Sequence, residues 1–481
     1  MLVKSEGLYK FTLVVLLIGF ALLVNLYIAS HAKIATDEYW FYSEAFLFAK
    51  GYIPYLDYFN HRLPLNNYIY GYYVNFISSN IVNIRYLSAT FNIITLCILL
   101  IINQKINGLN LKPLIIIFLI LFYPINLYLT NTISSYALTN LLISISLYIV
   151  INEKTRIYNG LIISLIYISR YILDYTVGLS LISSLIFYGK KFKKIIIYNI
   201  IFLFIPVLIY LKYGYQIIID TFIFNIESFR VMVDHSVIPE IYLNKLNRFL
   251  LLRKLEIQEW WSNVIILLVT SFFLIKERNL NEVIRYNYLI IALNLIFYYT
   301  SVNDYPATKI SLIIPIIVLY IYSYKYICEI KNLNNFLILI LMISILRSGY
   351  SYIENEKIGE IKICEKLDCN SNVFSFNPIL NTSFSKGEVG MSMELYGFAS
   401  YKENDYKLMK FHDILINLSQ KKYDYIIVDE RFSSNINMSK IVNDYEKNNF
   451  FKLLNENYIF QEAYNEKVLN QKLEIWKKHD R

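Results

Sequence analysis

The chain has 481 residues, 56% of them hydrophobic and only 17% charged, with a net charge of +9. An ordinary soluble domain carries more charge than this, so a soluble globular protein is excluded. No nucleic-acid partner is expected either: in so apolar a chain, surplus Lys and Arg belong to loops on the cytoplasmic side of a membrane.

Apolar runs of 16 to 20 residues recur along the first 350 positions. Such runs match a hydrocarbon core of about 30 Å at about 1.5 Å per helical residue. The period-two alternation of a membrane barrel is absent, which leaves a helical bundle. Residues 1–10 carry Lys4 and Lys10, and the run from Phe11 to Ser30 reads as the first span. It is too long for a cleaved signal segment and lacks a cleavage site. Residues 31–83 then form a first outer loop, which opens with Asp37-Glu38 and continues through Gly51, Pro54, Tyr55, Asp57, His61 and Arg62 to Pro64. Its second half, 64–79, is aromatic but studded with Asn66, Asn67, Gly71 and Asn75, as expected of a helix lying at the interface.

Further spans are expected at 84–102, 113–130, 135–151, 158–171, 172–188, 195–212, 261–275, 286–300, 309–325 and 334–349, eleven in all with the first. The segments this places inside (1–10, 103–112, 152–157, 189–194, 276–285 and 325–332) hold 15 Lys and Arg in 50 residues. The short outer segments hold 5 in a larger span, including Arg170 and Lys309 at their edges. By the positive-inside rule the N-terminus is cytoplasmic and the Asp37-Glu38 loop lies outside. An odd span count puts the C-terminus outside too, in a multi-pass protein of the cell membrane. Residues 213–260 form a second outer loop of mixed apolar and charged character. It ends at the interfacial aromatic pair Trp260-Trp261.

From about residue 351 charge rises and long apolar runs stop. Short strands are expected at 372–376, 425–428, 458–461 and 468–476, with amphipathic helices at 407–420 and 439–449. The 351–481 segment is thus a small extracytoplasmic α/β domain, following a transmembrane module over 1–350. Its Asn-x-Ser/Thr triplets at Asn381, Asn417 and Asn437 are glycan acceptors by pattern, or chance matches in an Asn-rich chain. Of the four cysteines, Cys97 and Cys328 stand apart, while Cys364 and Cys369 are a candidate disulfide or two free thiols.

Candidate chemistry concentrates in the first loop. Paired carboxylates at the mouth of a bundle suit a general base and its orienting partner. The plain alternative is the acidic first turn of a helix capped by Thr36 or Asp37. Asp57, His61 and Arg62 are candidate substrate contacts, and His61 is equally a surface histidine. Arg170 reads as a phosphate ligand at the outer surface or as an ion pair with Asp174. Lys309 reads as a second phosphate contact or as a snorkelling lysine. No Gly-rich phosphate loop or His-rich metal motif is visible, so a donor must come from the membrane itself.

The pattern Asp37-Glu38-x-x-x-Tyr42-x-x-Ala45, then Gly51-x-x-Pro54-Tyr55-x-Asp57-Tyr58-Phe59, then His61-x-x-Pro64-Leu65, resembles the first outer loop of GT-C glycosyltransferases. The nearest types are the protein O-mannosyltransferases and aminoarabinose transferases. Arg85-x-x-Ser88-x-x-Phe91, Gly160-Leu161 leading to Arg170, Tyr305 to Pro315, and the tail strand 422–429 are similar to later parts of those enzymes. The resemblance implies transfer of a sugar from a polyprenyl-phosphate donor to a lipid, glycan or protein acceptor on the outer face. It implies inversion, with Asp37 or Glu38 as base and with Arg170 and Lys309 on the donor phosphate. The cofactor stays open between none and a divalent cation.

Two departures matter. The family's acid before the fourth span is missing from 131–140, so either Asp57 replaces it, the acceptor differs, or activity is lost. The oligosaccharyltransferase signature is also absent, since Ser262-Asn263 follows Trp260-Trp261. A transporter or flippase, or a polymerase or ligase of lipid-linked saccharides, is the alternative reading.

Overall fold

The computed structural model describes residues 2–34, 36–60, 62–108, 110–170, 175–223, 261–278, 280–300, 310–348, 353, 363–384, 386–387, 411–429, 444–466 and 471–479. The chain opens with α1 (Leu2–His31), followed by α2 (Thr36–Ala49), α3 (Leu65–Phe76) and α4 (Ile81–Asn107). Asn80 starts α4, its side-chain oxygen accepting from the Val82 amide at 2.8 Å and filling one of the orphan donors of a helix start. Next come α5 (Leu111–Leu121) and α6 (Pro124–Thr130), bent by 65° where Pro124 cannot continue the hydrogen-bond ladder. Then follow α7 (Ser135–Ile151), α8 (Asn159–Ile168), α9 (Thr176–Tyr188) and α10 (Phe192–Tyr213). A one-turn α11 (Gln216–Ile218) runs into a π-turn at Ile219–Ile223. The last long helices are α12 (Trp261–Lys276), α13 (Glu282–Thr300), α14 (Ile310–Ile327) and α15 (Leu333–Ser348).

Among the described residues each of the eleven expected spans falls on a helix, the 113–130 span on α5 and α6 together; 171–174, 309 and 349 lie outside those residues. Among the described residues, three helices are long and apolar enough to cross a membrane: Tyr9–His31, α4 and α10. The bent α5–α6 pair makes a fourth, and six more apolar helices are 10–17 residues long. Their outward faces are apolar, with Leu23, Leu185, Leu211 and Leu346 exposed, as a lipid-facing surface requires.

The C-terminal region carries α16 (Ile363–Leu367), β1 (Val373–Ser375), α17 (Pro378–Thr382), α18 (Phe411–Ser419), β2 (Tyr425–Asp429), α19 (Asp444–Asn457), β3 (Tyr458–Glu466) and β4 (Gln471–Lys478). The sheet order is β1-β2-β4-β3. β1 and β2 are parallel, with Phe374 opposite Ile426, while β4 runs antiparallel to β2 and β3. The fold is therefore α-helical, with helices of spanning length and a small C-terminal α/β sheet domain. Asn381 is buried and exchanges hydrogen bonds with the Ser375 backbone, both 2.7 Å, so it secures the β1–α17 turn and is not an exposed glycan acceptor. Asn417 donates to Tyr423 Oη at 3.0 Å, and Asn437 lies outside the described residues. Cys369 is disulfide-bonded, whereas Cys97 and Cys328 are free.

Packing divides the chain into two compact units. The first comprises Met1–Lys33, Arg85–Ile209 and Leu246–Glu356. Within it Arg85 is fully buried at the end of α1, and its guanidinium donates to the carbonyls of Ala29 (3.2 Å), Ala32 (2.7 Å) and Lys33 (3.2 Å). These are carbonyls that a helix C-terminus leaves unpaired. Gly160 lets α8 approach α10 closely, since a Cβ there would lie 2.6 Å from the Tyr198 carbonyl oxygen. Polar side chains inside this unit find one another: Tyr286 Oη bonds with Ser146 Oγ (2.7 Å) and accepts from Asn159 (2.9 Å). A cavity of about 20 Å³, room for about one water, is lined by Asn25, Asn92, Asn126 and Asn140 among others.

The second unit comprises Ile34–Ile84, Tyr210–Lys245 and Lys357–Arg481, so the segment 34–84 packs with the C-terminal sheet. The period-two alternation of the strands explains how. Phe374, Ile426 and Val428 face α18 and α19, meeting Phe411, Ile414, Leu418, Phe450 and Leu454. The intervening residues Val373 and Ile427, with Leu473 and Ile475 of β4, face the other way. That second face is closed by Ile379 and Leu380 of α17, by Ile363, and by Tyr39 of α2. α2 is thus one wall of the sheet domain, although more than 300 residues separate it from the strands.

Candidate active site

Helix α2 starts at Thr36, so Asp37 and Glu38 occupy its first turn, where the helix dipole favours negative charge. Glu38 is fully buried, at 0% exposure. The side chain of Asp37 lies outside the described residues, as do His61 and Lys309. Successive i, i+3 steps along α2 lead from Glu38 to Phe41 and then to Glu44, a row that winds by about 120° around the helix from the first acid to the second.

The loop from Gly51 to Pro64 folds back over that row. Gly51 takes φ +93°, which its missing Cβ permits. Tyr55 takes φ +67°, a strained conformation for a bulky residue, and its N–H donates to the Tyr58 carbonyl at 2.9 Å. Asp57 is exposed and closes the turn, its Oδ2 accepting from the Ile53 amide at 2.7 Å. The phenols then fix the loop. Tyr55 Oη donates to the Arg62 carbonyl (2.5 Å), and Tyr58 Oη donates to the Glu44 carbonyl (3.3 Å). Asn60 Oδ1 accepts from the Arg62 amide (3.0 Å), and Asn67 of α3 donates to Tyr58 Oη (3.2 Å). α3 can lie against α2 because Gly71 has no Cβ: one there would sit 2.4 Å from Phe48 Cδ1 and 3.1 Å from the Ala45 carbonyl oxygen.

This scaffold delivers Arg62 to the acidic row. Its side chain is 6% exposed, and its guanidinium stacks 4.3 Å from the centre of the Phe41 ring. Glu44, one turn further along α2, is 3% exposed. Burial pushes its carboxyl up to about 7, against the opposing pull of the Arg62 charge and of the nearby Asn67 amide. That amide is aimed at Tyr58 Oη, and among the described residues neither Glu44 oxygen has a partner of hydrogen-bond geometry, so desolvation dominates. Burial and the Glu44 charge together raise the Tyr55 and Tyr58 phenols well above the usual tyrosine range, so both remain donors at neutral pH. Beyond Tyr55 lie the Tyr213 ring, 4.9 Å away between centres, and the buried Asp220, which accepts from Gln216 at 2.9 Å.

Of the residues singled out in the sequence, Glu38, Asp57 and Arg62 belong to this second unit, with Asp57 at the outside of its loop. Arg170 belongs to the helical unit, half-buried, with its guanidinium 5.5 Å from the centre of the Tyr175 ring. Its expected partner Asp174 lies outside the described residues, as does most of the second outer loop, 224–260. Glu44 was not among the sequence candidates; its seven-residue offset from Asp37, two helical turns, was the available signal. Among the described residues no group of three or more His, Cys, Asp and Glu side chains gathers to hold a metal.

No family model matches the sequence, and no curated protein matches it. Among solved structures, the chain is similar to the crystal structure of ArnT from Cupriavidus metallidurans bound to undecaprenyl phosphate. The identity is 7% and the TM-score 0.47, over 96% of this chain and 98% of that one.

Proposed function

We propose that the chain is a membrane glycosyltransferase of the GT-C kind. It moves a sugar from a polyprenyl-phosphate donor to a lipid, glycan or protein acceptor on the outer face of the membrane. The observation that carries this reading is the arrangement on α2: a carboxylate pair in the first turn, with Glu38 fully buried, and a guanidinium held over Phe41 one turn later. A carboxylate in the first turn of α2 and a buried cation on Phe41 are the two kinds of group that displacement at a sugar phosphate needs: one to take the acceptor's proton, one to stabilise the departing phosphate.

In this scheme Asp37 or Glu38 deprotonates the acceptor, which attacks the anomeric carbon from the face opposite the phosphate and inverts it. The C–O bond to the phosphate breaks, and polyprenyl phosphate leaves with the electron pair. Arg62 neutralises the phosphate, and His61 is a candidate substrate contact; Arg170 and Lys309 are each to be tested by substitution as further phosphate ligands. Asp57 acts through the shape of the loop that carries Arg62. A divalent cation is a further charge to be tested by chelation.

The test is single substitution of Asp37→Asn and Glu38→Gln, with transfer followed from a radiolabelled polyprenyl-phosphate sugar. At least one variant loses transfer by about 100-fold or more while remaining folded, the usual weight of a positioned base. Full activity in both would overturn the assignment.

A further inference from the structure

Glu44 has no part in the transfer step, yet it is the most unusual acid among the described residues. It sits inside the second unit, and among the described residues neither carboxyl oxygen has a hydrogen-bond partner. The groups facing it are few. From the 51–64 loop come Arg62, Tyr55 and Tyr58, and from α3 comes Asn67. Tyr213 and Asp220 face Tyr55 from the segment that follows. Arg62 is the cation among them, and its position on Phe41 keeps it within reach of Glu44's charge.

We infer that Glu44 is a positioning residue for donor binding, whose buried carboxyl takes up a proton from solvent when the donor's phosphate engages Arg62. The inference rests on the donor reading above. The physical chain is short. A carboxylate in this site is costly because burial strips its hydration, and the Arg62 charge is what offsets that cost. A phosphate on Arg62 brings a second anion to the same cation, so the offset is shared and Glu44 is driven to its neutral form. Burial already places the carboxyl near 7, so a modest added repulsion crosses neutral pH. By linkage, donor affinity then rises as pH falls, by at most about tenfold per pH unit for one coupled proton. The donor is a phosphodiester with a fixed single charge, so its own titration does not mimic the effect.

The experiment measures binding of citronellyl phosphate mannose, a lipid phosphodiester, to the full-length protein in nanodiscs from pH 6 to 8. Wild type, Arg62→Gln, Glu44→Gln and Glu44→Asp are compared, and proton uptake on binding is measured in weak buffer. Wild type is expected to bind several-fold tighter at pH 6 than at pH 8, taking up a fraction of a proton to one proton per donor. Glu44→Gln binds with no pH slope, and Glu44→Asp restores the slope. No binding at any pH, repeated with a panel of citronellyl phosphate sugars, would overturn the donor reading itself; unchanged binding in Arg62→Gln would overturn the Arg62 contact and with it the Glu44 inference. A slope retained in Glu44→Gln would overturn the Glu44 inference alone. If Glu44→Gln does not fold, absence of proton uptake in the wild type overturns it.

Discussion

Replacing Glu44 by Gln should stabilise the protein above about pH 4.5, increasingly up to about pH 7 and fully beyond it. The native carboxyl titrates near 7, whereas in the unfolded chain it titrates near 4.5. Between those values the native state holds a proton that the unfolded chain has released, so unfolding free energy falls as pH rises through the window and levels off above about 7. The full difference corresponds to about 3 kcal/mol at about 1.4 kcal/mol per pH unit. Glu44→Gln removes that penalty while keeping size and shape. At pH 8 it should melt about 6–12 °C above wild type, taking a few degrees per kcal/mol for a unit of this size. At pH 4.5 the two should melt together. The assay is thermal unfolding in detergent at both pH values, read through the intrinsic fluorescence of the tryptophans. Other groups titrate equally in both proteins and cancel in the difference. Equal melting temperatures at pH 8, or a variant less stable there than wild type, would refute the reasoning.

Other perturbations test the scaffold. Gly160→Ala puts a methyl 2.6 Å from the Tyr198 backbone oxygen, which cannot move without α10, and should cost about 1–3 kcal/mol, read as a lowered melting temperature. An unshifted melting curve would contradict the close α8–α10 approach. Arg85→Met keeps the side chain's bulk but strips three carbonyls of α1's end of their donor. It should cost about 2–4 kcal/mol, a few kcal/mol being expected when buried groups lose a charged partner. Hydrogen exchange at residues 29–34 should speed up in that variant and not in Arg85→Lys.

The helical part of the fold was legible because length alone marks a span: a run such as 195–212 has no other stable use in lipid. Strands in the tail were legible for a related reason, since Tyr425-Ile-Ile-Val alternates between two cores. Unreadable was the partnership of Tyr39 with Val373 and Ile427, because a contact across more than 300 residues leaves no periodic trace. Asp37-Glu38 could be noticed as a pair, and Thr36 as a helix start was already one of its readings. Glu44 could not be noticed as buried, because its burial is made by the 51–64 loop folding back, and that fold is held by Tyr55 on the Arg62 carbonyl, Tyr58 on the Glu44 carbonyl and Asn67 on Tyr58. Asp57 attracts attention by its charge, yet its side chain closes a turn with the Ile53 amide. Arg85 was visible as the opening of α4; its service to the end of α1 is a tertiary fact.

Consumption of a lipid-linked sugar is read out by mass-spectrometric detection of free polyprenyl phosphate when the purified protein, in nanodiscs, is given a panel of polyprenyl-phosphate monosaccharides and an envelope extract as acceptor. Polyprenyl phosphate should be released in step with a glycosylated product of inverted anomeric configuration, both lost when Asp37 and Glu38 are replaced together by Asn and Gln. Release of polyprenyl phosphate at the same rate by that double variant, or a product of retained configuration, would contradict the proposed transfer.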